Sequence, residues 1–535
     1  MVSRFPKSAD GLMVRVSRDV SAAGVRNIVK SSGSKSLKFS VEDISGDGLY
    51  YVETKSRLNL PRAWALAREI NSHDLVYYAE VDVEIPGIDG IVTAPTRNRK
   101  FSGSSDPHKP GSDDPEWSLE NAGVIAAWKL KPKGKKYGSG IRVGHTDTGY
   151  RRHPEIDTAR LLPNLGYDYK DDKEDPVDPL KKGHVGHGTA TASIIFSGIG
   201  SPSGSEEFVS GTGPKAQLVP IRVSHSVIHI RWGKLIRGIY KAVESNCHII
   251  SMSLGGRWGS QALSDAVLHA QDNGVIILGA AGNKVKKVVY PAKIPSVIAV
   301  AASNCDDKPW KDSSRGPEVD ISAPGESVWR ARTDKNANYD VKRSNGTSYA
   351  VATTAGICAL WLSHHGRQAL ISKYGKSRLS SVFQSITRSS GVRRIPGWDT
   401  GNYGAGIIDA AAMLKAALPT IAPVRRFSVG DKVAPNLNTI EELADYFPSA
   451  STGRLTEVLQ KTFGAKQDGL FDVISKYGDE IRFHCATNED FRRSLMDLAS
   501  PKRKSIRGFR GSTAARNDQL GSQASKDLLN RMNVR

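Results

Sequence analysis

The chain has 535 residues, of which 39% are hydrophobic and 24% are charged, and its formal net charge is +20. This composition excludes a collagen-like, coiled-coil or wholly disordered protein, and the length predicts two or three domains. No stretch reaches the roughly 20 apolar residues that a membrane-spanning helix requires.

The positive charge is concentrated in the middle of the chain, where residues 116–419 hold 40 Lys and Arg against 26 Asp and Glu. Such a field favours acidic substrates or nucleic acid. A solvated basic surface is the simpler interpretation, and a nucleic-acid partner is not expected.

The N-terminus and the cysteines bear on the cellular compartment. Residues 1–7 are basic but lead into polar sequence, without the apolar segment of a secretory signal. The four cysteines lie far apart and form no CxxC pair, so we expect reduced thiols rather than a zinc site. We therefore predict a cytoplasmic protein, with secretion only if a leader has been removed.

Residues 1–90 form the first segment, in which short apolar runs alternate with stretches of helical spacing. The order of these elements predicts a small α+β domain with an open sheet and two helices. The predicted strands cover residues 11–16, 49–53 and 76–85, and the predicted helices cover residues 21–30 and 61–72.

Two further segments flank the middle of the chain. Residues 91–115 are rich in Pro, Gly and Ser, which predicts an exposed linker that proteases can cut. Residues 420–535 predict a helical C-terminal extension whose basic tail, from Pro501 onward, is expected to be mobile. The predicted helices of this extension cover residues 439–447, 456–463, 470–477 and 490–498.

Residues 116–419 alternate short apolar runs with helical segments, which predicts an α/β domain with a parallel sheet covered on both faces. Active sites of such folds lie beyond the carboxyl ends of the strands. The apolar runs that read as strands are residues 140–146, 218–223, 248–254, 275–279 and 296–301.

Three motifs stand where strands or loops meet helices: Asp147-Thr148-Gly149, Gly186-His187-Gly188-Thr189 and Asn345-Gly346-Thr347-Ser348. A serine hydroxyl needs an imidazole to take its proton, and the imidazole needs a carboxylate to hold its tautomer. Each motif alone is weak, since Asp-Thr-Gly is commonly a turn and Gly-Thr-Ser a helix cap. Together they supply all three groups in the chain order Asp, His, Ser, which is the order of subtilisin.

A fourth motif, Ala280-Ala281-Gly282-Asn283, follows the predicted strand at 275–279. An amide side chain at a strand end can donate a hydrogen bond to a tetrahedral oxyanion.

These motifs resemble the subtilase family of serine proteases over roughly 300 residues, from about Glu116 to Ala410. The resemblance implies a subtilisin-like sheet of about seven parallel strands. It implies an endopeptidase in which Ser348 is the nucleophile, His187 the general base and acid, and Asp147 the residue that orients His187. Asn283 and the Ser348 N–H would form the oxyanion hole.

The resemblance also implies a peptide-binding cleft lined by Ser253, Leu254 and Gly255. Val289 stands where small residues are common at the floor of the specificity pocket, and Lys284 lies near its rim. We therefore expect a small pocket with a basic edge that favours small or acidic P1 residues. Tyr349 replaces the family's Met after the serine, which affects the packing of the helix rather than the reaction.

No cofactor is required for this chemistry. His184 and His187 have an HxxH spacing, but no third ligand is evident, so zinc is not expected. Structural calcium stays open, because the loop at 198–213 carries Glu206 and Glu207 without a recognisable ligand pattern.

Residues 1–90 resemble the family's inhibitory prosegments in size and element order, which implies self-cleavage between residues 86 and 115. A permanent adaptor domain is the alternative. Residues 420–535 match no known motif, and docking of a partner or substrate is the default interpretation. The leading hypothesis is a selective intracellular processing protease; its rival is a catalytically silent peptide-binding regulator on the same fold.

Overall fold

The structure, a computed structural model, describes residues 8–32, 37–84, 111–228, 231–420, 438–444, 446–447, 450–464, 467–498 and 524–532. These residues form three packed parts, which are the N-terminal α+β part, a central α/β part and a C-terminal helical part. Among them, no helix is long and apolar enough to cross a membrane. The predicted linker lies outside the described residues except for residues 111–115.

The N-terminal part is a four-stranded antiparallel sheet with two helices packed against it. The predicted strands and helices are confirmed, and one strand, β2, was not predicted because Val41 is its single buried residue. Its elements are β1 (Ser8–Val16), α1 (Ala22–Ser31), β2 (Phe39–Asp43), β3 (Leu49–Asn59), α2 (Leu60–Asn71) and β4 (Val76–Asp82), in the sheet order β2-β3-β1-β4.

The central part is built on a nine-stranded sheet in which β14 alone runs antiparallel to its neighbour. Its first elements are α3 (Trp117–Asn121), α4 (Val124–Trp128), β5 (Arg142–Asp147), β6 (Tyr167–Asp168), α5 (His187–Phe196), β7 (Gln217–Arg222), α6 (Trp232–Glu244), β8 (Ile249–Met252), α7 (Gln261–Asp272), β9 (Ile276–Ala280) and β10 (Ile298–Ser303). They continue with β11 (Ile321–Pro324), β12 (Val328–Thr333), β13 (Tyr339–Ser344), α8 (Thr347–His365), α9 (Arg367–Tyr374), α10 (Leu379–Ser389), β14 (Val392–Arg393), α11 (Thr400–Tyr403), β15 (Ile407–Ile408) and α12 (Ala410–Lys415). Two 3₁₀ turns, Pro163–Leu165 and Lys376–Arg378, connect elements.

The strand order is β14-β15-β11-β10-β9-β8-β5-β7-β6, while β12 and β13 form a separate hairpin. The expected count of about seven strands was low, because three two-residue strands extend the edges of the sheet. The α/β fold itself is confirmed.

Helices cover both faces of this sheet. On one face, α8 is buried along its whole length and packs against α5, whose residues are all buried as well. On the other face, α6 and α7 share one hydrophobic core with the N-terminal part. The polar ends of α5 and α8 therefore meet at the carboxyl edge of the strands, where the predicted site residues lie.

The C-terminal part consists of α13 (Asn438–Ala444), α14 (Thr452–Phe463), α15 (Gln467–Thr487), α16 (Glu489–Leu498) and α17 (Lys526–Arg531). The expectation of a mobile tail was wrong for residues 524–532. There, Leu528 and Met532 are buried in the core of the helical part, and Ser525 caps α17. Apolar residues with helical spacing near the end of the tail predict this helix, but the polar composition of the tail as a whole obscured the pattern.

Strand β4 lies across the amino ends of α6 and α7. Asp82 accepts a hydrogen bond from Gly233 N at 3.1 Å, and Glu80 accepts one from Gln261 N at 2.7 Å. Both carboxylates occupy the positive ends of helix dipoles. The helical part reaches the same junction, because Glu480 of α15 forms an ion pair with Arg68 of α2 at 2.8 Å.

Candidate active site

The three residues predicted as a triad lie at the starts and ends of buried elements. Asp147 is the last residue of β5, His187 is the first residue of α5, and Ser348 lies in the first turn of α8. Each is buried, with 1%, 8% and 6% of its surface exposed. Since α5 and α8 pack on each other over the same edge of the sheet, the topology brings all three to one place.

The backbone before His187 explains its position. Gly186 has φ 69, and a Cβ there would lie 2.5 Å from the carbonyl oxygen of Thr333 in β12. Only glycine allows both this left-handed conformation and this close approach. The histidine motif is therefore held against the β12–β13 hairpin.

Asp147 holds the imidazole of His187 through a 2.7 Å contact between Oδ1 and Nδ1. The same oxygen accepts from Thr148 N at 2.7 Å, and Oδ2 accepts from Thr191 Oγ1 at 3.4 Å. Burial alone would raise the pKa of Asp147, but the charge and hydrogen bond of His187, together with the hydrogen bond from Thr148 N, outweigh burial and lower it. The carboxylate therefore stays ionised and fixes the proton of His187 on Nδ1.

A second histidine lies beneath this pair, and the sequence interpretation missed it. His145 Nε2 is 3.7 Å from Asp147 Oδ2 and 2.9 Å from Thr191 Oγ1. Burial lowers the pKa of His145, so the ring is neutral. Residues two apart on a strand face the same side, so its position two before Asp147 was the available signal.

Asp178 and Thr148 tie the aspartate and histidine motifs together and were also missed. Thr148 Oγ1 donates to Asp178 Oδ2 at 3.2 Å and accepts from Gly188 N at 3.0 Å. Asp178 Oδ2 also accepts from Gly186 N at 2.9 Å. No sequence signal marked Asp178, because the loop that carries it has no regular pattern.

Ser348 is anchored to the end of β8. Its Oγ donates to the carbonyl oxygen of Ser253 at 3.4 Å, and Ser253 Oγ donates to the carbonyl oxygen of Ser348 at 3.2 Å. Among the described residues, no hydrogen bond joins Ser348 to His187. Hydrogen bonds between a nucleophile and its base commonly tighten only when substrate is bound.

Asn283 is oriented by Thr347. Its Oδ1 accepts from Thr347 N at 2.9 Å and from Thr347 Oγ1 at 2.8 Å. Because a backbone N–H can only donate, the atom that faces it must be the oxygen, which turns Nδ2 toward the start of α8. A Cβ at Gly346 would lie 3.5 Å from Nδ2. The amide nitrogen of Asn283 therefore lies at the start of α8, the helix that carries Ser348.

The residues predicted to line the cleft lie at the ends of β8 and β9. Ser253 and Leu254 are buried, and a Cβ at Gly255 would lie 2.3 Å from Val289 Cγ2. Val289 therefore fills the space beside Gly255. Lys284 has φ 58, and its N–H donates to Asp312 O at 2.6 Å, which places it in the turn after Asn283.

Within the described ranges, no group of three or more His, Cys, Asp or Glu side chains is arranged to hold a metal ion. His184 Nδ1 contacts Ser226 Oγ at 3.2 Å, and its ring centre is 6.3 Å from that of His187. In the loop considered for calcium, Glu207 pairs with Lys342 at 3.6 Å.

Comparison with known proteins agrees with this geometry. Residues 138–380 match the model of the subtilase family. Subtilisin E of Bacillus subtilis is 34% identical over 237 residues, which span 43% of this chain and 57% of that protein. Subtilisin of Bacillus pumilus is 33% identical over 78% of its length, and thermitase of Thermoactinomyces vulgaris is 30% identical over 87% of its length.

The crystal structure of fervidolysin from Fervidobacterium pennivorans, a keratinolytic enzyme related to subtilisin, shares the fold. Its TM-score is 0.58 at 19% identity, with coverage of 78% of this chain and 62% of that one. The order of the motifs, the buried Asp147–His187 pair and these matches lead to one conclusion: the chain belongs to the subtilase family.

Proposed function

We propose that the protein is a serine endopeptidase with Ser348 as nucleophile, His187 as general base and acid, and Asp147 as the residue that orients His187. The observation that carries the proposal is the buried 2.7 Å contact between Asp147 and His187, which leaves Nε2 available beside the first turn of α8. The relatives are named as subtilisins and proteases, which supports the same activity.

In this mechanism, Ser348 Oγ attacks the scissile carbonyl carbon while His187 Nε2 takes the hydroxyl proton. Asn283 Nδ2 and the Ser348 N–H donate to the oxyanion that forms. The C–N bond then breaks, and the amine leaves with the proton that His187 returns, so that the acyl group remains esterified to Ser348. His187 next takes a proton from water, which attacks the ester, releases the acid and restores the serine hydroxyl.

A fluorophosphonate probe tests the nucleophile. We expect labelling of the wild-type chain, and no labelling of Ser348→Ala. Ser389→Ala, an exposed serine on α10, is the matched control and should label like the wild type. A wild-type chain that is folded by circular dichroism yet neither labels nor hydrolyses peptides would instead support the peptide-binding regulator.

The N-terminal part is proposed to act as an inhibitory segment. Its strand β4 ends at Asp82 against the amino end of α6, and Tyr78 donates to Asp265 of α7 at 2.7 Å. This docking of the N-terminal part on α6 and α7 supports the proposal. The expected self-cleavage between residues 86 and 115 lies outside the described residues, apart from 111–115.

Mass spectrometry of the wild type and Ser348→Ala tests self-processing. We expect cleavage between residues 86 and 115 in the wild type and an intact Ser348→Ala chain. Cleavage in both proteins would point to another protease, and an intact wild type would favour a permanent adaptor domain.

Selective processing inside the cell is proposed as the role. The four cysteines are free, which suits a reducing compartment. Val289 lies beside Gly255 and leaves little room for a large P1 side chain. Cell fractionation tests the location, and a peptide library tests the pocket. A preference for aromatic P1 residues would contradict the small pocket.

A further inference from the structure

A cavity of about 550 Å³ opens beside His187, between the start of α5 and the β12–β13 hairpin. Its lining includes Arg330, Arg332 and three histidines, His184, His187 and His225. No acidic residue lines it. The cavity therefore adjoins the reacting centre and carries positive charge without a carboxylate of its own.

The two arginines differ in how their charge is balanced. Arg332 is held by Asp340 through two contacts, at 2.6 Å and 2.8 Å. Arg330 has no acidic partner within ion-pair distance in the described part of the chain, and its Nη1 makes a long 3.4 Å contact with Ala331 O. The guanidinium of Arg330 is the uncompensated charge of the cavity.

Two polar atoms of the cavity wall point to a ligand. Arg330 Nε and Thr333 Oγ1 are buried and have no hydrogen-bond partner among the described residues. Buried donors are normally paired, and an unpaired one can obtain its partner from a water, an ion or a bound ligand. Both residues belong to β12, which Gly186 holds against the histidine motif.

We propose that Arg330 is a specificity-determining residue that binds an acidic side chain of the substrate within two positions of the scissile bond. The inference rests on the proposed peptidase function and names its substrate class. A carboxylate fits because it accepts hydrogen bonds from the guanidinium of Arg330 and neutralises the one unbalanced charge of the cavity.

Fluorogenic peptides that carry Glu or Gln at each of the two positions on either side of the bond test this specificity with the full chain. At one position, we expect a kcat/KM about ten- to a hundredfold higher for Glu than for Gln, as a hydrogen bond to a charged group implies. Arg330→Gln should abolish the preference for Glu over Gln, whereas Arg330→Lys should retain part of it.

Lys335→Gln is the matched control, because it removes one positive charge from the exposed turn of the same hairpin without touching the cavity. It should leave the preference intact. Raising the salt concentration should weaken the preference for Glu, since ions screen charge pairs, while a purely structural role of Arg330 would give no such dependence.

Binding to the Ser348→Ala chain separates this inference from the peptidase proposal. Labelled Glu and Gln peptides are compared by fluorescence anisotropy with Arg330 present or replaced by Gln. Tighter binding of the Glu peptide that depends on Arg330 supports the inference even if hydrolysis fails. Equal binding or turnover of both peptides, or a preference that survives Arg330→Gln, overturns it and leaves the peptidase proposal standing.

Discussion

At the scale of single residues, the site depends on side chains that are oriented by backbone N–H groups, which can donate a hydrogen bond but cannot accept one. Thr347 N–H forces the oxygen of Asn283 toward itself, and Thr148 N–H with His187 holds Asp147 Oδ1. The neutral His145 and Thr191 complete the surroundings of the carboxylate. Asn283 and Asp147 are therefore each positioned in part by a backbone N–H with no role in the proposed chemistry.

Asn283→Ala should lower kcat by about 10²–10³, the usual effect of losing an oxyanion donor, with little change in KM. Thr347→Val, which removes one of the two donors that orient the amide, should produce a smaller loss in kcat. Steady-state kinetics on a peptide substrate measure both effects. Thr347→Ser keeps the hydroxyl and should behave like the wild type; an equal loss in this variant would argue against orientation by Thr347.

At the scale of elements, α8 carries the proposed nucleophile in its first turn and is buried along its whole length. On its path through the core, α8 lies against the loop that carries Thr212. The two approach most closely at Gly356, where a Cβ would lie 1.7 Å from Thr212 Oγ1. The close packing of α8 with the chain at Thr212 thus supports the position of Ser348 from a distance.

Gly356→Ala should destabilise the protein by about 1–3 kcal/mol, because overpacking outweighs the gain in helix propensity. Gly453→Ala in α14 is the matched control: its Cβ would meet nothing closer than 4.0 Å, so the propensity gain should stabilise that helix by up to about 1 kcal/mol. Urea unfolding followed by circular dichroism measures both. Equal stability of the two variants would rule out crowding at Gly356.

At the scale of the whole molecule, the C-terminal helical part secures the N-terminal part on the central part. Trp64 of α2 packs on Phe483 of α15 with ring centres 6.2 Å apart. Arg68 forms an ion pair with Glu480, which also accepts a hydrogen bond from Ser525 N. Residues more than 400 positions apart in sequence thus meet at the strand that docks on α6 and α7.

Arg68→Ala should loosen this junction by about 3–5 kcal/mol, because removal of one partner leaves Glu480 as a buried charge. Hydrogen exchange of α2 and α15 measures the loosening. Arg62→Ala, an exposed position on the same helix, is the control and should leave exchange unchanged. Faster exchange in α2 alone would mean that the ion pair does not connect the two parts.

The junction should also respond to pH. Burial and the charge of Asp479 raise the pKa of Glu80 to about 7. The hydrogen bonds from Gln261 N and Ala262 N and the charge of Arg482 act in the opposite direction but are outweighed. Burial also raises the pKa of Asp82 in the same strand. A raised pKa in the docked state stabilises docking at low pH, and this contribution is lost as pH rises through about 7.

Protection factors of β4, which correct for the intrinsic exchange rate, should therefore fall between pH 5 and pH 8. They should fall by about tenfold for each unit by which the pKa is raised. Glu80→Gln should flatten the dependence, while Glu69→Gln on the exposed side of α2 should leave it as in the wild type. Protection that rises with pH would contradict the sign.

The amino-acid sequence by itself determined the family, the strands and the chemical groups of the site, because catalytic motifs and apolar periodicity are local in the chain. Asp147, His187, Ser348 and Asn283 could be named from their motifs, and the helices and strands from spacing. The partners that hold them, such as His145, Thr191 and Asp178, became visible once their distances were known.

Only the tertiary structure decided which surfaces meet. Three features join segments that are distant in the chain. They are the position of Arg330 beside His187, the ion pair of Arg68 with Glu480, and the docking of residues 524–532. No periodicity encodes such contacts, since each depends on how separately folded elements pack. The motifs of the proposed site are thus local in the chain, while the contacts that hold them in place arise from long-range packing.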